Sequence, residues 1–401
     1  MKIEAVSAKP ILDSRKEKTI LVSIKTNVGS FSASSPTGKS TGKFEAKPYK
    51  KSLDEDIKTL KKFSDYFSGE IFEKFDDLRR IEDILDRHVG ANTLFALESA
   101  TLKAMASEKF GNSSRERQKN CHSEERKKDI WRLINPDAKY LPRLAGNCVG
   151  GGKHSYSKKK PDFQEFLLIP KTSSVKEALE INRKAKNEVK FFLKRNDKTF
   201  SEKRNDEDAW ETSLNEKEVF DALKELNIPF GTDIASSGFY KRKKYHYENP
   251  MLTREKDEQM EYLSNLIRNF NLFYIEDPFD EEDFESFAKL LKKFPDSLIV
   301  GDDLTTTNPK RFEKAIKMKS INAIIVKPNQ IGSLIKVREV CELAKKNDIK
   351  IVFSHRSGET EEEILGDLAF GFQADFFKCG ITGIEREMKI KRLIEIERGM
   401  R

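Results

Sequence analysis

Six short apolar runs in the second half of the chain each close on a charged or metal-ligating residue. They are Ile228-Pro229-Phe230-Gly231-Thr232-Asp233, Leu272-Phe273-Tyr274-Ile275-Glu276, Leu298-Ile299-Val300-Gly301-Asp302, Ala323-Ile324-Ile325-Val326-Lys327, Ile351-Val352-Phe353-Ser354-His355 and Ala374-Asp375-Phe376-Phe377-Lys378. Helix-like segments separate them. Runs of this kind read as parallel strands buried on both faces. A barrel of parallel strands aims every strand end at one face, and that face carries the active site. Three acids, two lysines and a histidine, far apart in sequence, are therefore expected to meet in space. The fold class read from this pattern is α/β, a (β/α)8 barrel. Such a barrel takes roughly 250 residues. The chain has 401, so the remainder forms a second domain.

Composition narrows the class of function. A hydrophobic fraction of 37% fills a core at this length, while 35% charged residues demand a surface dense in Lys and Glu. The net charge of +8, from 75 basic and 67 acidic residues, gives a mild positive field that helps a small anionic substrate arrive. The basic residues are interleaved with acids rather than gathered, which argues against a nucleic-acid partner. Cys121, Cys148, Cys341 and Cys379 form no CxxC pair, so zinc and redox motifs are missing. So few cysteines suit a reducing compartment. The first residues, Met1-Lys2-Ile3-Glu4-Ala5, carry no apolar signal region. No run reaches the roughly 20 apolar residues of a membrane span. A cytoplasmic protein with no membrane partner is expected.

Residues 1 to about 50 alternate in the manner of strands. Thr19–Thr26 and Ser30–Ser34, joined by Asn27-Val28-Gly29, read as a hairpin. From about Leu53 to Lys109 the spacing turns helical. Ile71, Phe72, Phe75, Leu78, Ile81, Ile84 and Leu85 recur at helical intervals, and Ala91–Phe110 is Ala-rich. Strands followed by helices predict an α+β N-terminal domain over 1–139. The barrel is expected to start near Tyr140-Leu141-Pro142 and fill 140–401. Residues 111–129 and 195–216 are hydrophilic. They read as an exposed linker or helix and as a long loop.

Asp233, Glu276 and Asp302 at one rim would repel each other without a cation. Hard oxygen ligands, with no Cys and few His, favour Mg²⁺ over zinc. Lys327 precedes Pro328, which forces an extended conformation on it. A lysine held near cations and other bases has a lowered pKa and can serve as a base. Lys378 closes its strand in the same way. Arg356, with Ser357 and Gly358 beside it, makes a bidentate site for phosphate. Gly38-Lys39-Ser40-Thr41 resembles the end of a P-loop, but Ala33 and Ser34 stand where the upstream glycine is required. A lid that folds over a site is the better reading. By local pattern alone His154, Gln164-Glu165 and Glu207 read as solvated loop residues.

Taken together, these motifs make the chain resemble the enolase family over nearly its whole length. The resemblance is carried by Ile11-Leu12-Asp13-Ser14-Arg15, Gly38-Lys39-Ser40-Thr41-Gly42, Ala235-Ser236-Ser237 and Ile275-Glu276-Asp277-Pro278-Phe279. Its most specific parts are Gly301-Asp302-Asp303-Leu304-Thr305 with Thr307-Asn308-Pro309-Lys310-Arg311, then Lys327-Pro328-Asn329-Gln330-Ile331-Gly332, then Ser354-His355-Arg356-Ser357-Gly358-Glu359-Thr360. The strings at Lys327 and at Ala374–Lys378 are similar to archaeal members. The resemblance implies a lyase of glycolysis and gluconeogenesis that reversibly dehydrates 2-phosphoglycerate to phosphoenolpyruvate, with two Mg²⁺ per site. It implies metal ligation by Asp233, Glu276 and Asp302, and by Ser40 at the second ion. Lys327 would take the C2 proton, the Lys-plus-Mg²⁺ arrangement for which enolases are the known case. Glu207 would be the acid for the leaving hydroxide, with Glu165 beside it. Substrate would be held by His154, Gln164, His355, Arg356, Ser357 and Lys378. A homodimer or higher homo-oligomer is also implied.

The sequence departs from the family pattern on loops. Lys16-Glu17-Lys18 replaces the usual Gly-Asn-Pro. Gly150-Gly151-Gly152-Lys153-His154-Ser155-Tyr156 replaces Asn-Gly-Gly-Ser-His-Ala-Gly. After Asp206-Glu207 two glycines become Asp208 and Ala209. Losing glycine is expected to stiffen a loop and bar left-handed backbone. Motif order favours an active enolase. The altered loops leave open a diverged relative, with weak activity or another phosphorylated acid as substrate. A third reading is a non-catalytic scaffold that binds RNA or protein through Lys158-Lys159-Lys160 and Lys241-Arg242-Lys243-Lys244.

Overall fold

Alternating burial along the first residues builds a three-stranded antiparallel meander. Its strands are β1 (Ile3–Leu12), β2 (Lys18–Thr26) and β3 (Gly29–Ser34). Thr26 pairs with Gly29, so Asn27-Val28 makes the expected hairpin turn. This computed structural model describes residues 1–39, 41–85, 87–111 and 129–400. The segment read as a charged linker therefore lies almost wholly outside the described residues.

Three helices follow. Helix α1 (Leu53–Phe63) is capped by Ser52, whose side chain accepts from the Glu55 N–H. Acids fill its first turn and lysines its last, as the helix dipole favours. Then come α2 (Arg79–Leu85) and α3 (Ala91–Gly111). Residues 71–74 are not helical, contrary to their spacing. Ile71 pairs with Lys2 in an antiparallel bridge, and the Phe72 N–H donates to the Met1 carbonyl at 2.8 Å. The start of β1 captures them. Helix α3 is apolar on almost every side because it is buried on almost every side. It packs on β2 and β3, and also on the turn Pro328–Gln330 at the barrel mouth.

After the short α4 (Trp131–Ile134) the chain enters the barrel. Strands β4 (Arg143–Gly150) and β5 (Glu165–Leu168) come first, then α5 (Val175–Asn196), β6 (Trp210–Glu211) and α6 (Glu216–Lys224). Strand β7 (Phe230–Asp233) follows. Beyond it a small sheet of β8 (Tyr240–Lys241), β9 (Lys244–Glu248) and β10 (Met251–Arg254) stands apart. The regular alternation then runs α7 (Lys256–Phe270), β11 (Tyr274–Glu276), α8 (Phe284–Lys293), β12 (Leu298–Gly301), α9 (Pro309–Lys317), β13 (Ala323–Val326), α10 (Leu334–Lys346), β14 (Lys350–Ser354), α11 (Ile364–Gly371), β15 (Phe376–Gly380) and α12 (Ile384–Met400). Asn215, Asn308 and Ser333 cap three of these helices, with Pro309 at the first position of α9.

Pairing of β15 with β4 closes the barrel. It is not wholly parallel. Strand β5 runs antiparallel to both β4 and β7. The inversion matters for function. Because β5 starts at the mouth and descends, α5 climbs back, and the segment after it surfaces at the mouth. That segment, expected as one long loop over 195–216, is shorter and better fastened. Helix α5 continues through Asn196, and β6 adds to β4. Asp197 accepts five hydrogen bonds, from the N–H and hydroxyl of Thr199, the hydroxyl of Thr212, and the N–H and hydroxyl of Ser213.

Candidate active site

Barrel strands alternate inward and outward, and the inward residues set the site. Leu167, Tyr274, Val300, Ile325, Val352 and Phe376 belong to the cluster that fills the barrel interior. Two residues nearer the mouth on the same strands stand Glu165, Glu276, Asp302, Lys327, Ser354 and Lys378. Register adds the second dimension. Glu165 pairs with Asp233, and Asp233 with Glu276, so three carboxylates share one row. Ser354 pairs with Lys378.

The floor is a buried ionic lattice. Lys378 Nζ lies 2.9 Å from Asp233 Oδ2, 2.9 Å from both Glu276 oxygens and 3.3 Å from Glu165. Ligand atoms of Asp233, Glu276 and Asp302 lie within 4.8 Å of one another. Burial first, and Asp233 next, push Glu276 up to about 8. Three carboxylates this close and this buried gain from added positive charge. This buried, all-oxygen donor set fits a hard divalent cation such as Mg²⁺. Asp277 and Asp303 extend the acidic set towards Asp302.

Lys327 touches the carboxylate of Asp302. Burial, the largest single influence, lowers its pKa, but the surrounding carboxylates, Asp302 first and Glu276 after it, together make the net shift upward. The lowering expected of this lysine belongs to a site that holds cations, whereas here its nearest charge is an anion. Asp302 moves the other way: burial raises it, and Lys327 with Lys378 lowers it further.

The residues read as solvated are buried. His154 is 5% exposed, Gln164 6%, and Glu165 and Glu207 2% each. Glu207 Oε1 lies 3.3 Å from His154 Nδ1, and its Oε2 lies 3.4 Å from His355 Nε2. Burial would raise Glu207, but His355 and His154 take it well below the ordinary range. Burial and then Glu207 push Glu165 well above it. Both histidines are lowered, by burial first.

The phosphate donors are in place but engaged. Arg356 gives one guanidinium nitrogen to both oxygens of Glu45, at 3.0 and 3.1 Å, and another to Asn329 at 3.0 Å. Ser357 Oγ accepts from the Lys39 N–H at 2.8 Å. The first lid is thus docked on the Arg-Ser turn. Ser40 lies outside the described residues. All the other expected site residues meet around this one mouth.

The geometry agrees with relationships to known proteins. Residues 138–401 match the family model described as enolase, C-terminal TIM barrel domain. An enolase from Methanosphaera stadtmanae is 34% identical over 98% of this chain and 96% of its own. One from Thermoplasma acidophilum is 32% identical over 98% of both chains. A third, from Pyrobaculum aerophilum, is 39% identical over 65% of this chain and 64% of its own. The chain belongs to the enolase family. Enolases are Mg²⁺-dependent hydro-lyases of glycolysis that interconvert 2-phosphoglycerate and phosphoenolpyruvate.

Several residues of this enolase site escaped the sequence reading. Asn147, inward on β4, donates to Glu207 Oε2 at 2.8 Å. Its signal was available, since it stands two residues beyond the interior Ala145. Asn205 accepts from the N–H groups of Glu207 and Ala209 at 3.0 and 2.9 Å. A side chain on Gly150 would overlap the Asn205 amide, which explains a glycine there. Lost family glycines did not bar left-handed backbone. Lys16 and Asp208, which stand at glycine positions, have φ of 63° and 62°. Asp208 offsets the strain with its side chain, which contacts Lys186, Arg204 and Thr382. Ala209 is not among the described residues with positive φ.

Proposed function

We propose that the buried cluster around Lys327 and Lys378 carries out the enolase reaction on 2-phosphoglycerate. The observation that carries this reading is the row of Glu165, Asp233 and Glu276, with Asp302 and Lys327 beside it. Asp233, Glu276 and Asp302 would hold a Mg²⁺ ion, with Ser40 serving a second. When bound, the ions supply positive charge for the substrate carboxylate as it gains charge in the transition state.

The protein's own groups do the rest. Arg356 and Ser357 exchange their lid partners for the substrate phosphate. Lys378 sits on the floor, against the carboxylate end. Lys327, once the extra proton that Asp302 stabilises has passed to bulk water, takes the C2 proton. Glu165 and Glu207 deliver a proton to the departing C3 hydroxide, so that water leaves, and His154, His355 and Gln164 enclose the exit. Counting atoms, the substrate loses one proton to Lys327 and one hydroxide, which gains a proton from the acid pair. Residues 1–139 would act as the capping domain and 140–401 as the catalytic barrel, in a cytoplasmic homodimer. No described helix is long and apolar enough to cross a membrane.

Ultraviolet absorbance tests this directly. With 2-phosphoglycerate and Mg²⁺ the phosphoenolpyruvate signal should grow, and it should not grow without metal. A flat trace under saturating metal and substrate would sink the reading.

A further inference from the structure

Three loops of different origin meet on one carboxylate beside the acid Glu207. Lys39, in the first lid, places Nζ 2.8 Å from Asp206 Oδ2. The same ammonium lies 3.9 Å from the centre of the Tyr156 ring. Tyr156, in the loop after His154, donates its hydroxyl to Asp206 Oδ1 at 2.5 Å. Asp206 therefore uses both oxygens on two other loops. Its side chain is 6% exposed, whereas Tyr156 is 68% exposed and forms the outer edge.

Each member is tied further in. The Lys39 N–H holds Ser357 of the phosphate turn. The Tyr156 N–H donates to Glu211 on β6 at 2.7 Å. The Asp206 carbonyl accepts from Arg386 of α12 at 2.8 Å. Tyr156 stands where the usual family pattern has glycine, so the ring that completes the contact departs from that pattern.

We propose that Lys39, Tyr156 and Asp206 form a clasp that fixes Glu207 and the phosphate turn relative to each other across the mouth of the site. Asp206 and Glu207 are consecutive, so drawing Asp206 outward onto Lys39 and Tyr156 turns Glu207 inward between the two histidines. These are positioning residues. They replace the adaptability that loop glycines give with a charge-assisted contact and a cation–π contact. The clasp rests on the enolase reading only for its effect on turnover. Its existence is testable without turnover.

The experiment pairs steady-state kinetics with amide hydrogen exchange on Lys39→Met, Tyr156→Ala, their double variant and Lys39→Arg, with thermal unfolding as the control for folding. Each single variant should lower kcat/KM about ten-fold, equivalent to about 1.4 kcal/mol, chiefly through kcat. The double variant should lose little more than either single one. Lys39→Arg, which keeps the ion pair and the ring contact, should restore most of the rate. Exchange should rise in 150–156 and 203–208 in the unclasped variants and stay low elsewhere. Independent, multiplying losses, or unchanged exchange in both loops, would overturn the clasp. A wild-type protein without turnover would count against the enolase reading, while exchange alone would still decide the clasp.

Discussion

The floor and the roof of the site are built on opposite principles. On the floor, Asp233, Glu276, Asp302, Lys327 and Lys378 stand at strand ends whose positions are fixed by ladder register and by the apolar layer beneath them. In the roof, Lys39, His154, Glu207 and Arg356 are placed by side chains that grip other loops. The departures from the family pattern fall in the loops of the roof and not at the strand ends of the floor. Register tolerates little change, because a one-residue slip turns every side chain to the wrong face. A roof of side-chain contacts can be rebuilt piecemeal, provided each lost constraint is replaced by another.

The largest effect that tests this contrast falls on the floor. Lys327→Ala should cut turnover by about 10³–10⁴-fold while the fold survives, as circular dichroism would show. Its partner Asp302 keeps Gln330 Nε2 at 3.2 Å, so the carboxylate is not left without a donor. A loss under about ten-fold would mean that the proton at C2 is taken elsewhere.

Anchors of the roof should instead show up in stability. Asp197→Ala removes an acceptor of five hydrogen bonds and should cost about 2–4 kcal/mol in urea unfolding. Burial raises this carboxyl, but its donors outweigh burial and hold it below the ordinary range. Its contribution is therefore full above the unfolded value of about 4 and fades as pH falls below that. Asp208→Gly relieves a left-handed residue but strips Lys186 and Arg204 of a partner. A net loss of about 2 kcal/mol is expected. Both variants should leave metal affinity within about two-fold, because the strand ends are untouched. A large loss of affinity would dissolve the distinction between floor and roof.

The same distinction explains what could be read from sequence. The six runs were legible because an apolar strand and its terminal charge are adjacent in the chain. The direction of β5 was not, since Glu165-Phe166-Leu167-Leu168 reads alike upward or downward. Ile71–Lys74 kept a helical period but lost the helix to pairing with Met1 and Lys2. The burial of Glu207 and His154 was invisible, because Asn147 and His355, which meet Glu207, come from other segments. The contact of Lys327 with Asp302 was not legible for a related reason. Sequence pattern places charges near one another but does not say which partner lies closest.

Metal binding sharpens the comparison from the other side. With Glu276 pushed up to about 8 by burial and then Asp233, the metal-free floor is expected to hold an extra proton at neutral pH. A cation must expel that proton to bind. Mg²⁺ affinity should therefore rise about ten-fold per pH unit up to about 8 and then level. Calorimetry in buffers of different ionisation heat would count the proton. Affinity independent of pH between 6 and 8 (a range below the expected plateau of about 8) would mean that the floor is already fully ionised without metal.

The smallest effect belongs to Lys16, where a lost glycine has no evident replacement. Its backbone is left-handed at φ 63°, and its side chain is exposed. The turn around it is held by the main chain, through the Lys16 N–H to the Asp13 carbonyl at 2.9 Å. Lys16→Gly should remove about 1 kcal/mol of strain. The added freedom of the unfolded chain returns about 0.5–1 kcal/mol of that. The net change should lie between zero and about 0.5 kcal/mol of added stability, opposite in sign to Asp208→Gly. Thermal unfolding of the two variants side by side decides the matter. If both lose stability, Lys16 also has a side-chain role, and the roof's repairs extend to the turn after β1.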